Sequence, residues 1–259
     1  MMGCGVQQGN LGGITALVTG GAKRIGRAIA LKLADHGANV IVHYNASARE
    51  ANQTCEEIAR RGPQAWSLQA DLSDPDACRD LAARAAGIAP PVRILVNNAS
   101  VFTPGRISDL SADAFDRHMH VHALAPLILT RSLAENLPAD AVGRVVNLLD
   151  AYVGTHQFQH AAYSLSKRVL LDLTRMMAVE FAPRVTVNAV APGVTLLVED
   201  GNAPGEDALV KRSPLRAGAE PGDISDAVLY LINARLVTGQ VLYVDGGGHL
   251  VGGTWADQG

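Results

Sequence analysis

An open, doubly wound α/β sheet is the architecture that the 259 residues predict, and three observations predict it. Short apolar runs of strand length alternate with helix-length segments whose apolar residues recur every three or four positions. The alternation continues from residue 14 to about residue 245 without a linker-like break. A glycine-rich turn joins the first apolar run to the first helix. Apolar residues make up 48% of the chain and charged residues 18%, which is enough for one large core, so a single domain is expected over 14–259.

The expected strands are Ile14–Thr19, Asn39–His43, Ala65–Gln69, Val92–Val96, Arg144–Leu148, Val185–Ala189 and Gln240–Val244. Runs such as NVIVH and VRILV are almost continuously apolar, as a parallel strand covered on both faces requires. Helices are expected over Ile25–His36, Ala48–Arg61, Pro75–Ala86, Ala161–Phe181 and Asp223–Ile232. Crossovers between parallel strands are right-handed, so this series winds into one seven-stranded parallel sheet with helices on both faces, a Rossmann fold. Ligands then bind at the carboxyl ends of the strands.

The remaining composition excludes several functions. A net charge of -3 with no stretch concentrating lysine and arginine argues against nucleic acid. Cys4, Cys55 and Cys78 lie far apart without metal-type spacing, so neither a zinc site nor a disulfide framework is expected, and a reducing cytoplasm fits. Residues 1–13 lack both a basic segment and an apolar core and are expected to be a flexible tail rather than a signal peptide. No apolar run approaches the roughly 20 residues that span a bilayer, so a soluble protein without a membrane partner is expected.

The first strand enters Thr19-Gly20-Gly21-Ala22-Lys23-Arg24-Ile25-Gly26. Glycines let the backbone turn tightly toward a pyrophosphate, and the following helix N-terminus offers unpaired N–H groups. The spacing resembles the TGxxxGxG turn of the short-chain dehydrogenases, with Arg24 where a middle glycine is usual. The second strand ends in His43-Tyr44-Asn45-Ala46-Ser47 without the carboxylate that would hold both ribose hydroxyls of NAD. With Lys23 and Arg24 nearby and Tyr44, Asn45 and Ser47 at the strand end, NADPH is the expected cofactor.

Tyr163 and Lys167 are four residues apart in a helical segment, so both project from one face. An ammonium beside a phenol is expected to lower the tyrosine pKa toward the working pH. The Thr19 turn, Asn97-Asn98-Ala99, the YxxxK pair and Pro192-Gly193 follow one another in the order and separation of the short-chain dehydrogenase/reductase family, and the resemblance covers residues 14 to about 250. It implies that Gly20 and Ile25 belong to the cofactor turn and that Asp71 and Leu72 meet the adenine. It also implies that Asn98, Ala99 and Ser100 line the cofactor groove and that Pro192, Gly193 and Thr195 close over the nicotinamide side. Tyr163 and Lys167 serve the cofactor as well as catalysis, Lys167 by holding the nicotinamide ribose. Asp71 could equally cap a helix.

Most members of that family place serine thirteen residues before the tyrosine, whereas this chain has Asp150. Arg24, Ser100, Phe102 and Asp150 together resemble the pteridine reductases and their bacterial dihydromonapterin reductase relatives. That resemblance implies a pterin between nicotinamide and an aromatic ring, contacted by Arg24, Ser100, Phe102, Asp150 and Tyr163. Phe102 either stacks on such a ring or packs under a loop, and Arg24 either reaches substrate or binds only cofactor phosphate. Ala46 and His122 depart from the relatives, the latter replacing a common helix asparagine. His156 and His160 receive no role.

The expected reaction is reduction of a dihydropterin or dihydrofolate-like ring by NADPH, with Asp150, Tyr163 and Lys167 as catalytic residues. A carbonyl reductase for an oxoacyl thioester or sugar competes with it, as does a non-catalytic NADP(H)-binding regulator. Leu165, Val169, Leu170, Leu171, Leu173, Met176, Met177 and Val179 spread around more of their helix than one core stripe requires. They suggest a second buried face, either in a wholly internal helix or against another subunit, and the family resemblance implies a homotetramer. The segment 193–215 is read as a mobile substrate lid.

Overall fold

The computed structural model describes residues 9–155, 158–195, 210–211 and 213–251. Seven parallel strands form one sheet, β1 (Thr15–Val18), β2 (Asn39–Tyr44), β3 (Ala65–Gln69), β4 (Val92–Asn97), β5 (Gly143–Leu148), β6 (Val185–Pro192) and β7 (Val241–Val244). Their order is β3-β2-β1-β4-β5-β6-β7, so the winding reverses between β1 and β4. Ligands of such sheets bind in the crevice outside that reversal, because the loops on either side diverge there.

The apolar runs predict the strands because they are buried on both faces: every residue of β1 and β5 is buried. β6 continues three residues past its expected end, pairing Val190, Ala191 and Pro192 with Leu242, Tyr243 and Val244. Proline ends the run in sequence yet is tolerated here as the last residue of the strand. The helices α1 (Arg24–Asp35), α2 (Ala48–Arg60) and α3 (Pro75–Ile88) follow the first three strands. Asp74, not Asp71, caps α3, its carboxylate accepting the Asp76 N–H at 2.8 Å.

The segment between β4 and β5 holds helices that the apolar spacing does not single out. α4 (Ala112–Met119) passes through a π-helical turn (His120–Leu124) into α5 (Ala125–Asn136). Pro126 reads as a helix breaker, but the wide turn shifts the bonding so that the Ala125 N–H reaches the His120 carbonyl five residues back. Then come α6 (Ala161–Glu180) and α7 (Pro221–Asn233). One core cluster packs α1 and α7 on one face of the sheet, and a second packs α3 and α5 on the other. Among the described residues no helix is long and apolar enough to cross a membrane.

Of the tail expected over 1–13, residues 1–8 lie outside the described residues. Leu11 is fully buried and its N–H donates to the His36 carbonyl at 2.7 Å, so packing begins ahead of Ile14. On α6, Leu170 and Met177 are buried, whereas Leu165, Val169, Met176 and Val179 are exposed along one side.

Candidate active site

The glycine turn is anchored before α1 begins. Gly20 has φ +62°, and a side chain on Gly26 would meet the Gly20 carbonyl oxygen at 2.1 Å, so only hydrogen lets α1 start flush against the turn. Arg24 also adopts a left-handed φ of 51°, the conformation that glycine supplies in the turns this one resembles. The carboxamide of Asn98, at the end of β4, donates to the Thr19 and Gly20 carbonyls at 2.9 and 3.1 Å. Asn98 therefore shapes the groove by tying β1 to β4. Near the start of α1, N–H groups such as that of Ile25 have no partner within the helix, so the turn presents donors suited to a pyrophosphate.

His43 fixes the same turn from beneath. Its Nδ1 accepts the Gly20 N–H at 3.1 Å, so Nε2 carries the proton and donates to the Ala70 carbonyl at 3.1 Å. Burial holds its pKa down, from 6.5 to about 4. The unfolded chain therefore binds this proton from pH 6.5 downward and the folded chain only near pH 4, so stability is lost as pH falls through that window. The loss is about 3 kcal/mol by about pH 4. His43→Gln, which removes the titration, is expected to flatten that part of the urea-midpoint profile between pH 7 and 4. An unchanged profile would place the acid sensitivity elsewhere.

At the far end of β2, the Lys23 ammonium lies 3.1 Å from a Glu50 carboxylate oxygen, and the Arg49 guanidinium lies 3.6 Å from the same oxygen. The sequence reading missed Glu50 because it sits in the first turn of α2 rather than on the strand end. The backbone N–H of Glu50 itself first, and then these cations, hold the Glu50 carboxyl below its ordinary range. Asn45 is exposed and Tyr44 and Ser47 are half-buried at the same edge, and Ser47 makes no side-chain capping bond to α2. Asp71, expected at an adenine, accepts from the N–H and hydroxyl of Ser73 at 2.9 and 2.7 Å. Leu72 is buried and belongs to the core. These residues border the β2 and β3 half of the sheet.

The other half gathers the chemistry. Asp150 follows β5 and accepts the Tyr152 N–H at 2.7 Å through Oδ1, while its Oδ2 accepts the Tyr163 hydroxyl at 2.9 Å. One turn along α6, the Lys167 ammonium donates to the Leu148 carbonyl at 2.7 Å and lies 5.7 Å from the Tyr163 ring centre. Tyr163 is expected from sequence to have a lowered pKa. Instead burial, reinforced by the Asp150 carboxyl, pushes it well above its ordinary value, because a phenolate there would face a carboxylate in a dry site. Burial also raises Asp150, against the bonds from Tyr152 and Tyr163 that favour its charge. Lys167 falls to about 8 by burial, with Asp150 opposing the fall. The site is built around a neutral phenol donating to a carboxyl, with an ammonium close to losing its proton.

Phe102 is 59% exposed and stands edge-on to Tyr163, with ring centres 4.7 Å apart. His160 stacks on it at 4.1 Å, a contact that sequence gives no sign of because 58 positions separate the two. Ser100 is exposed and bonded to His122 at 2.9 Å. Pro192, Gly193 and Thr195 extend from β6; a side chain on Gly193 would meet Asp245 at 2.7 Å. Of the expected lid, residues 196–209 and 212 lie outside the described residues, as does His156.

The family model for Enoyl-(Acyl carrier protein) reductase matches residues 20–249. FolM alternative dihydrofolate reductase 1 from Brucella canis, crystallised with NADP, is 39% identical over 95% of this chain and 98% of its own, with a TM-score of 0.86. The angucycline C-6 ketoreductase LanV with bound NADP is 33% identical over 95% of this chain and all of its own, with a TM-score of 0.84. The 3-oxoacyl-[acyl-carrier-protein] reductase FabG of Staphylococcus epidermidis is 30% identical over 90% of this chain and 98% of its own. The sheet order, the glycine turn and the YxxxK pair already describe this architecture, and with these matches the chain belongs to the short-chain dehydrogenase/reductase family of oxidoreductases.

Proposed function

We propose that the protein reduces a pteridine ring, a dihydropterin or dihydrofolate-like substrate, with NADPH. The observation that carries this reading is the Asp150 carboxyl accepting the Tyr163 hydroxyl at 2.9 Å, where most of the family has a serine. A carboxyl offers two acceptors in one plane, which suits the paired donors of a 2-aminopyrimidinone edge. The half-open Phe102 ring beside Tyr163 suits a flat heterocycle, and the FolM dihydrofolate reductase similarity supports the same substrate class.

The glycine turn, Lys23, Asn98 and Lys167 would hold NADPH, with Gly20, Arg24, Ile25, Ala99, Pro192, Gly193 and Thr195 along the groove. When bound, the cofactor supplies the hydride. Reducing a C=N bond also adds a proton at nitrogen, and the Tyr163–Asp150 pair holds that proton at the phenolic oxygen. Lys167 supplies the positive charge that offsets the negative charge left on the pair. Phe102 and Ser100 orient the ring and help exclude water.

A carbonyl reductase is the second reading, favoured by the FabG and LanV similarities and by the Lys167 ammonium beside Tyr163, whose bond to the Leu148 carbonyl does not involve Asp150. Initial rates of NADPH oxidation with dihydrobiopterin, dihydromonapterin, dihydrofolate and an acetoacetyl thioester decide between them. Pterin or folate turnover is expected, and thioester turnover alone would move the chain to the carbonyl reductases. Tight NADPH binding without any turnover would favour the regulator. The exposed side of α6 carrying Leu165, Val169, Met176 and Val179 supports self-association as a homotetramer.

A further inference from the structure

His122 lies in the π-helical turn between α4 and α5, is 1% exposed, and bonds to two walls of the site at once. The Val101 N–H donates to its Nε2 at 3.1 Å, so that nitrogen carries no proton. The Ser100 hydroxyl lies 2.9 Å from the same nitrogen and must therefore be the donor. A neutral imidazole with a bare Nε2 carries its proton on Nδ1, which donates to the Ser166 hydroxyl at 2.7 Å. Ser166 in turn donates to the Tyr163 carbonyl at 2.8 Å. The backbone N–H of Val101 fixes the proton positions through this chain of four groups.

We propose that His122 is a positioning residue that sets the hydrogen-bonding polarity of the substrate pocket. With its hydrogen committed to His122, Ser100 presents only lone pairs on its exposed side. A ligand atom placed there must be an N–H or O–H donor, and a carbonyl oxygen would meet lone pairs. The same imidazole clamps the β4 end to α6 at the turn carrying Tyr163, whose ring it meets edge-on at 5.5 Å between centres. Through these contacts His122 selects substrates bearing a donor edge, an inference that rests on the pteridine reading for its choice of ligand.

Two measurements test it. Nitrogen NMR of the histidine-labelled full chain at pH 7, with and without NADPH, is expected to show His122 protonated on Nδ1 and bare on Nε2. An Nε2–H form or an imidazolium would overturn the assignment whatever the substrate proves to be. His122→Asn, too short to bridge both walls, is expected to raise KM for dihydropterin about tenfold with kcat held within about twofold. Ser100→Ala is expected to raise KM similarly, and the double variant no further than either single one. Additive effects, or a fall in kcat in place of the KM change, would overturn the coupling. If the enzyme turns over only the thioester, the pteridine reading and the donor-edge selection it supports both fail, while the NMR result still decides the protonation of His122.

Discussion

Tyr163→Phe is expected to lower kcat for pterin reduction by about 10²- to 10⁴-fold, the range that a positioned general acid contributes. The ring stays in place, so its packing on Phe102 and His122 is retained and the variant is expected to fold and bind NADPH. What disappears is the hydroxyl that donates to Asp150 at 2.9 Å. Stopped-flow rates and a titration of NADPH fluorescence check both halves. A variant retaining a tenth or more of wild-type kcat would remove Tyr163 from the proton path. The wild-type rate is expected to fall as pH rises through about 8, where Lys167 loses its charge. Above that pH the Lys167 side chain no longer offsets the negative charge left by proton transfer.

The sequence makes the sheet legible because buried parallel strands are nearly continuous apolar runs, and the YxxxK pair because helical spacing fixes which side chains share a face. Its failures have physical causes. Pro126 hides the continuity of α4 and α5 because a sequence pattern has no symbol for a π turn that relocates the bonding. The Tyr163 acidity is misjudged because a motif gives the neighbouring cation but not the depth of burial, which here dominates. Glu50 escapes notice because its partner Lys23 lies 27 positions away, and His160 because its stacking on Phe102 is a tertiary contact. Arg24 is the converse case: its departure from glycine is visible in sequence, and its left-handed backbone shows that the turn keeps its shape regardless.

Asp150→Ser restores the residue usual in the family and separates the two substrate classes. Pterin reduction is expected to fall by about 10²-fold or more, because a hydroxyl offers one acceptor where the carboxyl offered two and cannot share the proton of Tyr163. Thioester reduction, which needs only a phenol and an ammonium, is expected to persist. Asp150→Asn is the sharper probe. The amide oxygen can still accept the Tyr152 N–H, but the group then facing Tyr163 is a donor, so the hydrogen bond to the phenol reverses. Both variants also remove the negative charge that holds the Lys167 pKa up to about 8 against its burial, so the alkaline limb of the rate is expected to move to lower pH. Pterin turnover that survives Asp150→Ser while thioester turnover collapses would remove the carboxyl from pterin reduction and, with it, the observation that carries the substrate assignment. An alkaline limb that stays in place would show that Asp150 and Lys167 are not electrostatically coupled in the working enzyme.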